Sequence, residues 1–420
     1  MSRVDKYTYT FFISLSALLS IFKITLFAKL LGPEQYGLYS LVLSVYIFIV
    51  YFGSMGLNDA LMKLGAKAFG QSKLKDVYEL YILAAVYGGI VTFVLGMLLS
   101  ICIIIFFSYE DVSIVLALAG LLAFSALEFN LLDTLLRVTH RFVFYSVLLF
   151  LKSLSVILLG WYLALDYGAF GVILAEIIAF SLVFLVAYFI VAKSASLKNI
   201  LSRYELVIFA IQNGFPMMLA NLVRNLALSA DKWILASALG VAAVGKYAFA
   251  MILYTISMFL LGFLTNILGP KWLASYSNDN DVKKLLRSVL RFSSAWFLLL
   301  LFAAIPAYLL LPILIENFFV AYNDRDTFLA TSIIYIGVLF LVPSFFLDWF
   351  FIAISFEKKV LSITISMMVL SILLLGVCWY LGLSIVAYAV VFTAARIYVF
   401  LNYMRVIFSL KRQDFISMSS

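Results

Sequence analysis

The sequence predicts an all-α integral membrane protein of about twelve transmembrane helices in two six-helix lobes around a central cavity, with both termini cytoplasmic. Three observations carry this. Hydrophobic residues make up 66% of the 420 positions and charged residues only 12%, against about a quarter charged in a soluble domain. Apolar stretches of about 20 residues, enough to cross a bilayer, recur along the whole chain. Lysine and arginine are concentrated in alternate connections, as the positive-inside rule requires. The net charge of +8 would suggest nucleic acid in a soluble chain; here it reads as cytoplasmic loops facing anionic lipid.

In order along the chain, Arg3 and Lys6 precede a first span near 9–31, which is too long for a signal peptide and lacks a small-residue cleavage site. It holds Lys23 and closes at Gly32–Tyr36, and the second span follows near 37–57. The amphipathic inner segment Asn58–Glu79 carries Lys63, Lys67, Lys73 and Lys75. The third span, near 80–107, is long enough to tilt; a turn at 109–111 leads to the fourth, 112–132. Asp133, Arg137 and Arg141 mark its inner end and read as loop anchors rather than ligands. Spans five and six, near 143–163 and 168–192, meet at Asp166–Tyr167 and end on Lys193, Lys198 and Arg203.

The second lobe begins with Gly214-Phe215-Pro216 opening span seven, near 216–239, followed after Gly240–Ala243 by span eight, 244–265. The basic inner segment Lys271–Phe292 leads to span nine, 293–315, and Glu316–Asp326 is the longest outer connection. Spans ten to twelve fall near 330–354, 360–380 and 383–408, separated by Lys358-Lys359 and Gly382. One set of connections holds 21 basic residues and the other three, and five are intramembrane. The lobes are assigned to 1–205 and 206–420. No connection has room for a soluble catalytic domain, so the chain is not expected to be an enzyme.

The halves repeat. Leu31-Gly32…Gly37-Leu38-Tyr39 and Leu239-Gly240…Gly245-Lys246-Tyr247 share L-G-x4-G-x-Y at an offset of 208 residues, and the basic loop at 72–80 falls on 280–288. The same offset aligns Lys23 with Asp231. An even number of helices per half makes the repeats parallel, related by an axis along the membrane normal. Gly240…Gly245-Lys246 also matches part of a phosphate-binding loop, but Tyr247 follows where Ser or Thr is required and no strand precedes it, so no ATP site is expected.

The segment Leu30-Leu31-Gly32-Pro33-Glu34-Gln35-Tyr36-Gly37-Leu38-Tyr39-Ser40 resembles the signature of bacterial polysaccharide exporters. These are the Wzx-type O-antigen flippases of the multidrug/oligosaccharidyl-lipid/polysaccharide superfamily. Gly214-Phe215-Pro216, Asp231-Lys232-Trp233-Ile234-Leu235 and Leu239-Gly240…Gly245-x-Tyr247 are similar to that family's second-lobe pattern. The resemblance implies a flippase for an undecaprenyl-pyrophosphate-linked glycan in the bacterial inner membrane. It also implies a polysaccharide polymerase and a chain-length regulator as partners, besides membrane lipids.

Charges inside spans are costly and mark function. Lys23, Arg224 and Lys232 read as cavity cations for a pyrophosphate or acidic sugar, since phosphate favours Arg and Lys. The competing reading makes Asp231 a structural partner of Lys23 or Arg224, with Lys232 or Lys29 reaching outward. Arg224 and Asp231, seven apart, share a helix face, whereas Lys232 is rotated about 100° from Asp231. Asp231 and Glu176 are candidates for proton or sodium coupling, or serve as charge partners. Lys152, Asp348 and Arg396 are further intramembrane charges.

Cys102 and Cys378 lie in apolar spans, and His140 is the only histidine, so no disulfide framework, metal site or cofactor is expected. Most of the 40 Phe, 25 Tyr and 6 Trp belong to lipid-facing and interfacial surfaces; Trp233 is the candidate for stacking on a sugar. A multidrug antiporter of the same fold would want cavity carboxylates, and the candidate cavity helices carry more Lys and Arg than Asp and Glu. A membrane polymerase would need a larger outer loop than Glu316–Asp326.

Overall fold

The computed structural model describes residues 3–106, 110–191, 204–279, 281–354 and 356–418, with the side chains left undescribed at a number of helical positions, among them 183–191, 410–418 and Arg224. Every regular element among them is helical. The chain forms two compact units, Met1–Ser229 and Ala230–Ser420. The first contains α1 (Arg3–Ser54), α2 (Leu57–Ala60), a π turn at Leu61–Gly65, α3 (Ala66–Gly70) and α4 (Leu74–Leu83). A second π turn at Ala84–Gly88, α5 (Gly89–Phe106), α6 (Glu110–Val138) and α7 (Phe142–Val191) follow. Next comes α8 (Tyr204–Leu239), whose last residues enter the second unit. That unit continues with α9 (Val241–Ala250), α10 (Ile252–Asp279), α11 (Val282–Phe318), α12 (Arg325–Ala353), α13 (Glu357–Tyr380) and α14 (Ile385–Met418).

Nine helices among the described residues are long and apolar enough to cross a membrane, and α9 with the start of α10, bent by 44°, makes a tenth. Two of these, α1 with 52 residues and α7 with 50, are more than twice the ~20 residues a crossing needs. Each is broken by one glycine, Gly32 at φ 69° and Gly168 at φ 55°. Each is therefore two helices joined at a sharp kink, and counting them separately brings the described candidate spans to the predicted twelve.

The connections differ from the sequence expectation. The turns placed at Gly32–Tyr36 and Gly240–Ala243 shrink to one residue, because Pro33 and Val241 already lie in the next helix. Proline's fixed φ suits a first helical position. Asn58–Glu79 is largely helical, and the described residues of Lys271–Phe292 are helical except Asp281. Loss of hydropathy marks the end of the apolar run, not the end of the helix. The repeat extends to the backbone at its turns: Gly32 has φ 69°, ψ 177° and Gly240 has φ 84°, ψ 177°. This positive-φ conformation is open to glycine and strained for other residues.

Packing follows the rules of lipid, where small residues let helices approach. Gly96 of α5 faces Gly120 of α6 so closely that a Cβ on Gly120 would lie 2.7 Å from the Gly96 carbonyl oxygen. In the second unit Trp272, Phe346, Phe350, Phe351 and Tyr403 form the buried core. α12 runs through this unit's interior and α11 along its margin: 56% of the most apolar stretch of α12 is buried, against 6% for α11.

Asp324 caps α12, accepting bonds from the Thr327 amide at 3.0 Å and hydroxyl at 2.8 Å, and pairs with Lys246 of α9 at 3.1 Å. Partial burial alone would raise this carboxyl, but the bonds from Thr327 and Lys246 outweigh it and hold the group below its ordinary value. A depressed carboxylate stabilises the fold above its unfolded value and loses that contribution as pH falls through the folded one. D324A should therefore cost about 1 kcal/mol near neutral pH. In thermal unfolding of the detergent-solubilised protein, the gap to the parent should close below about pH 4.

Candidate functional site

Each unit holds a buried polar network in its helical interior. In the first, the ammonium of Lys23, in the first half of α1, lies 2.8 Å from Glu176 Oε1. The hydroxyl of Tyr39, in the second half of α1, donates to the same oxygen at 2.5 Å. The glycine breaks bring the three together. Lys23 is nine residues before Gly32, Tyr39 seven after it and Glu176 eight after Gly168. At 1.5 Å per residue all lie roughly 10–14 Å from the breaks, close to mid-bilayer. The breaks are themselves tied, since the Ala169 amide donates to Gln35 Oε1 at 3.0 Å.

Close packing of α7 on α1 holds the geometry. Gly160 leaves room for Phe27, whose Cζ would be 2.4 Å from a Cβ there. Phe27 in turn meets Tyr39 edge to face, with ring centroids 6.0 Å apart. Lys152 stands beside this network, its ammonium 4.7 Å from the Phe129 ring centre and 4.8 Å from that of Phe180. It lies within Coulombic reach of Lys23, Glu176 and Asp133.

In the second unit Asp231, near the end of α8, accepts from the Tyr247 hydroxyl at 2.8 Å and from the Lys232 amide at 2.8 Å. Arg396 of α14 interacts electrostatically with Asp231. Its guanidinium stacks over Phe392 and Tyr254, 4.9 and 5.5 Å from the ring centres, while its buried Nε has no hydrogen-bond partner among the described residues. The Lys232 ammonium also interacts with the Asp231 carboxylate. Asp348 accepts from Tyr403 inside the aromatic core, which is a structural setting. Arg224 lies on α8, and its side chain is outside the described residues. Asp133 and Arg137 pair at 2.7 Å, and Arg137 reaches Asn58 of α2 through Thr134, whereas Arg141 is exposed.

Sequence reasoning placed Lys23, Glu176, Asp231 and Arg396 but missed the two tyrosines that hold the carboxylates. Tyr39 and Tyr247 are the repeated tyrosine of L-G-x4-G-x-Y, each sixteen residues after Lys23 or Asp231, and that common spacing is the signal. It also missed Glu128 of α6, 4% exposed, because one glutamate barely lowers the mean hydropathy of an apolar run.

The polysaccharide biosynthesis protein family model matches residues 6–272, so the chain belongs to that family. Compared with curated proteins, the chain has no significant match. Among solved structures, a multidrug resistance MATE family transporter of the MOP superfamily, inward-facing, is 18% identical. The alignment covers 94% of this chain and 96% of that one with a TM-score of 0.65. A MOP superfamily transporter from Pyrococcus furiosus is also 18% identical, covering 96% and 95% with a TM-score of 0.60. The lipid II flippase MurJ, inward closed, is 16% identical and covers 98% of this chain and 88% of that one, TM-score 0.69. At these identities the likeness shows the fold of a multi-pass membrane transporter.

The Lys23–Glu176 pair is unequal, the side chains being 24% and 4% exposed. K23M leaves an enclosed carboxylate with the Tyr39 hydroxyl but without its cation and should cost about 3 kcal/mol or more. E176Q leaves an ammonium that can swing outward and should cost about 1 kcal/mol. Thermal unfolding in detergent should rank K23M below E176Q, with K23M/E176Q recovering most of the loss.

Proposed function

We propose that this member of the polysaccharide biosynthesis protein family is a flippase for an undecaprenyl-pyrophosphate-linked oligosaccharide. Its cargo is an O-antigen or similar surface-polysaccharide repeat unit. It carries the head group from the cytoplasmic to the outer leaflet of the bacterial inner membrane by alternating access, with ion coupling to H+ or Na+ and no covalent step. The observation that carries this reading is the inequality of the Lys23 pair. At mid-membrane depth the cation is the accessible partner and the anion the enclosed one, so the network offers positive charge to a ligand. A pyrophosphate can share the ammonium by charge-assisted hydrogen bonds without exposing Glu176.

Arg224 and Lys232 are proposed as further head-group cations, with Lys152 and Arg396 as supporting charges and Asp231 and Glu176 as charge partners. The fold likeness to a lipid II flippase supports a lipid-linked cargo. Handover to a polysaccharide polymerase and its chain-length regulator would follow on the outer face.

Deleting the gene should abolish a surface polysaccharide and leave its lipid-linked repeat units on the cytoplasmic leaflet. K23Q/E176Q, which removes both charges together, should reach normal membrane levels and fail to restore the polysaccharide. Unchanged polysaccharide in a deletion strain that lacks any second exporter overturns the reading. Full rescue by K23Q/E176Q overturns the role of Lys23.

A further inference from the structure

The first unit contains one buried carboxyl that its own network does not use. Glu128, in α6, is 4% exposed, and its Oε2 has no hydrogen-bond partner among the described residues. Glu176 is held by Lys23 and Tyr39, and Asp133 by Arg137. No salt bridge to Glu128 occurs among the described residues.

The surroundings of Glu128 are built to admit it. Gly89, the first residue of α5, sits directly against the carboxyl, and a Cβ there would fall 2.6 Å from Oε1. Immediately before Gly89 the helix makes its π turn, Ala84–Gly88. Such turns loosen the regular hydrogen-bond ladder and recur at functional sites. One turn further along α5, Thr92 is fully buried, its Oγ1 also without a hydrogen-bond partner among the described residues, pressed against Gly53 of α1. Tyr81 of α4 is a titratable side chain that interacts electrostatically with Glu128. The ring of Phe124 closes the same spot from α6 itself.

A carboxylate so enclosed, without a salt bridge among the described residues, is too costly to persist as a bare ion. We propose that Glu128 is an exchangeable monovalent-cation site, binding H+ or Na+, at the junction of α6 with the π turn and the start of α5. As the coupling site of a transporter it rests on the function proposed above; as a cation site it stands on its own geometry. The π turn supplies the local slack that exchange between open and closed forms of the site would need.

The test uses the purified full-length protein in detergent and needs no glycan, so its outcome is separate from that of the transport reading. Two measurements are made on the parent, E128Q and E128D: infrared difference spectra across a pH step, and 22Na+ binding. If the ion is a proton, the parent shows an exchangeable carboxylic C=O band that E128Q lacks and E128D shifts. If it is sodium, the parent binds 22Na+ saturably, and E128Q lowers the affinity at least tenfold. G89A, which crowds the carboxyl without removing it, should weaken whichever signal is found and carries the test if E128Q does not fold. A parent with neither signal, or signals unchanged in E128D and G89A, overturns the proposal.

Discussion

A carboxylate that cannot reach water must be held by something else, and the first unit is arranged around that need at Glu176. Burial in hydrocarbon removes the dielectric screening that makes exposed ion pairs weak. Lys23 and the Tyr39 hydroxyl converge on one oxygen because two helices break at matching heights and return. The Gly32 and Gly168 breaks, the Gln35 bond between them and the Phe27–Gly160 packing are the conditions for that convergence.

The second unit repeats the device with its signs exchanged. The helix before the signature turn carries Lys23 in the first unit and Asp231 in the second, and a later helix, α7 or α14, supplies the opposite charge, Glu176 or Arg396. The tyrosine after the turn goes to the carboxylate in both, whichever helix bears it. The repeated motif thus preserves a backbone turn and a hydroxyl donor, while the charges around it have diverged. A duplicated scaffold can change what it attracts in this way without changing how it folds.

Most of the fold was legible in the sequence because hydropathy and loop charge report directly on the membrane. The twelve spans came from these signals, and the repeated turn from the L-G-x4-G-x-Y motif at its 208-residue offset. Helix ends were less legible: Lys271–Phe292 looks like a loop by hydropathy, yet Asp281 caps α11 by accepting from the Lys284 amide at 2.9 Å. For the site, Lys23, Glu176, Asp231 and Arg396 stood out as charges in apolar runs, but which of them pair did not, nor did the tyrosines that join them. Lys23 and Glu176 are 153 residues apart, and no local pattern links them. Glu128 was hidden for the opposite reason, as one glutamate in a long apolar helix.

That separation of 153 residues has a consequence for biogenesis. The span bearing Lys23 leaves the ribosome long before Glu176 is made, so the ammonium enters the bilayer without its counter-ion. At 5–20 residues per second the delay is about 8–30 s. Meanwhile an insertion penalty of roughly 2.5–3.5 kcal/mol has to be offset by the leucines, isoleucines and phenylalanines around it. The single-residue turn at Gly32 supplies the means. Two apolar helices joined without slack can partition into lipid as one hairpin, and the second carries the Lys23 helix in until Glu176 arrives.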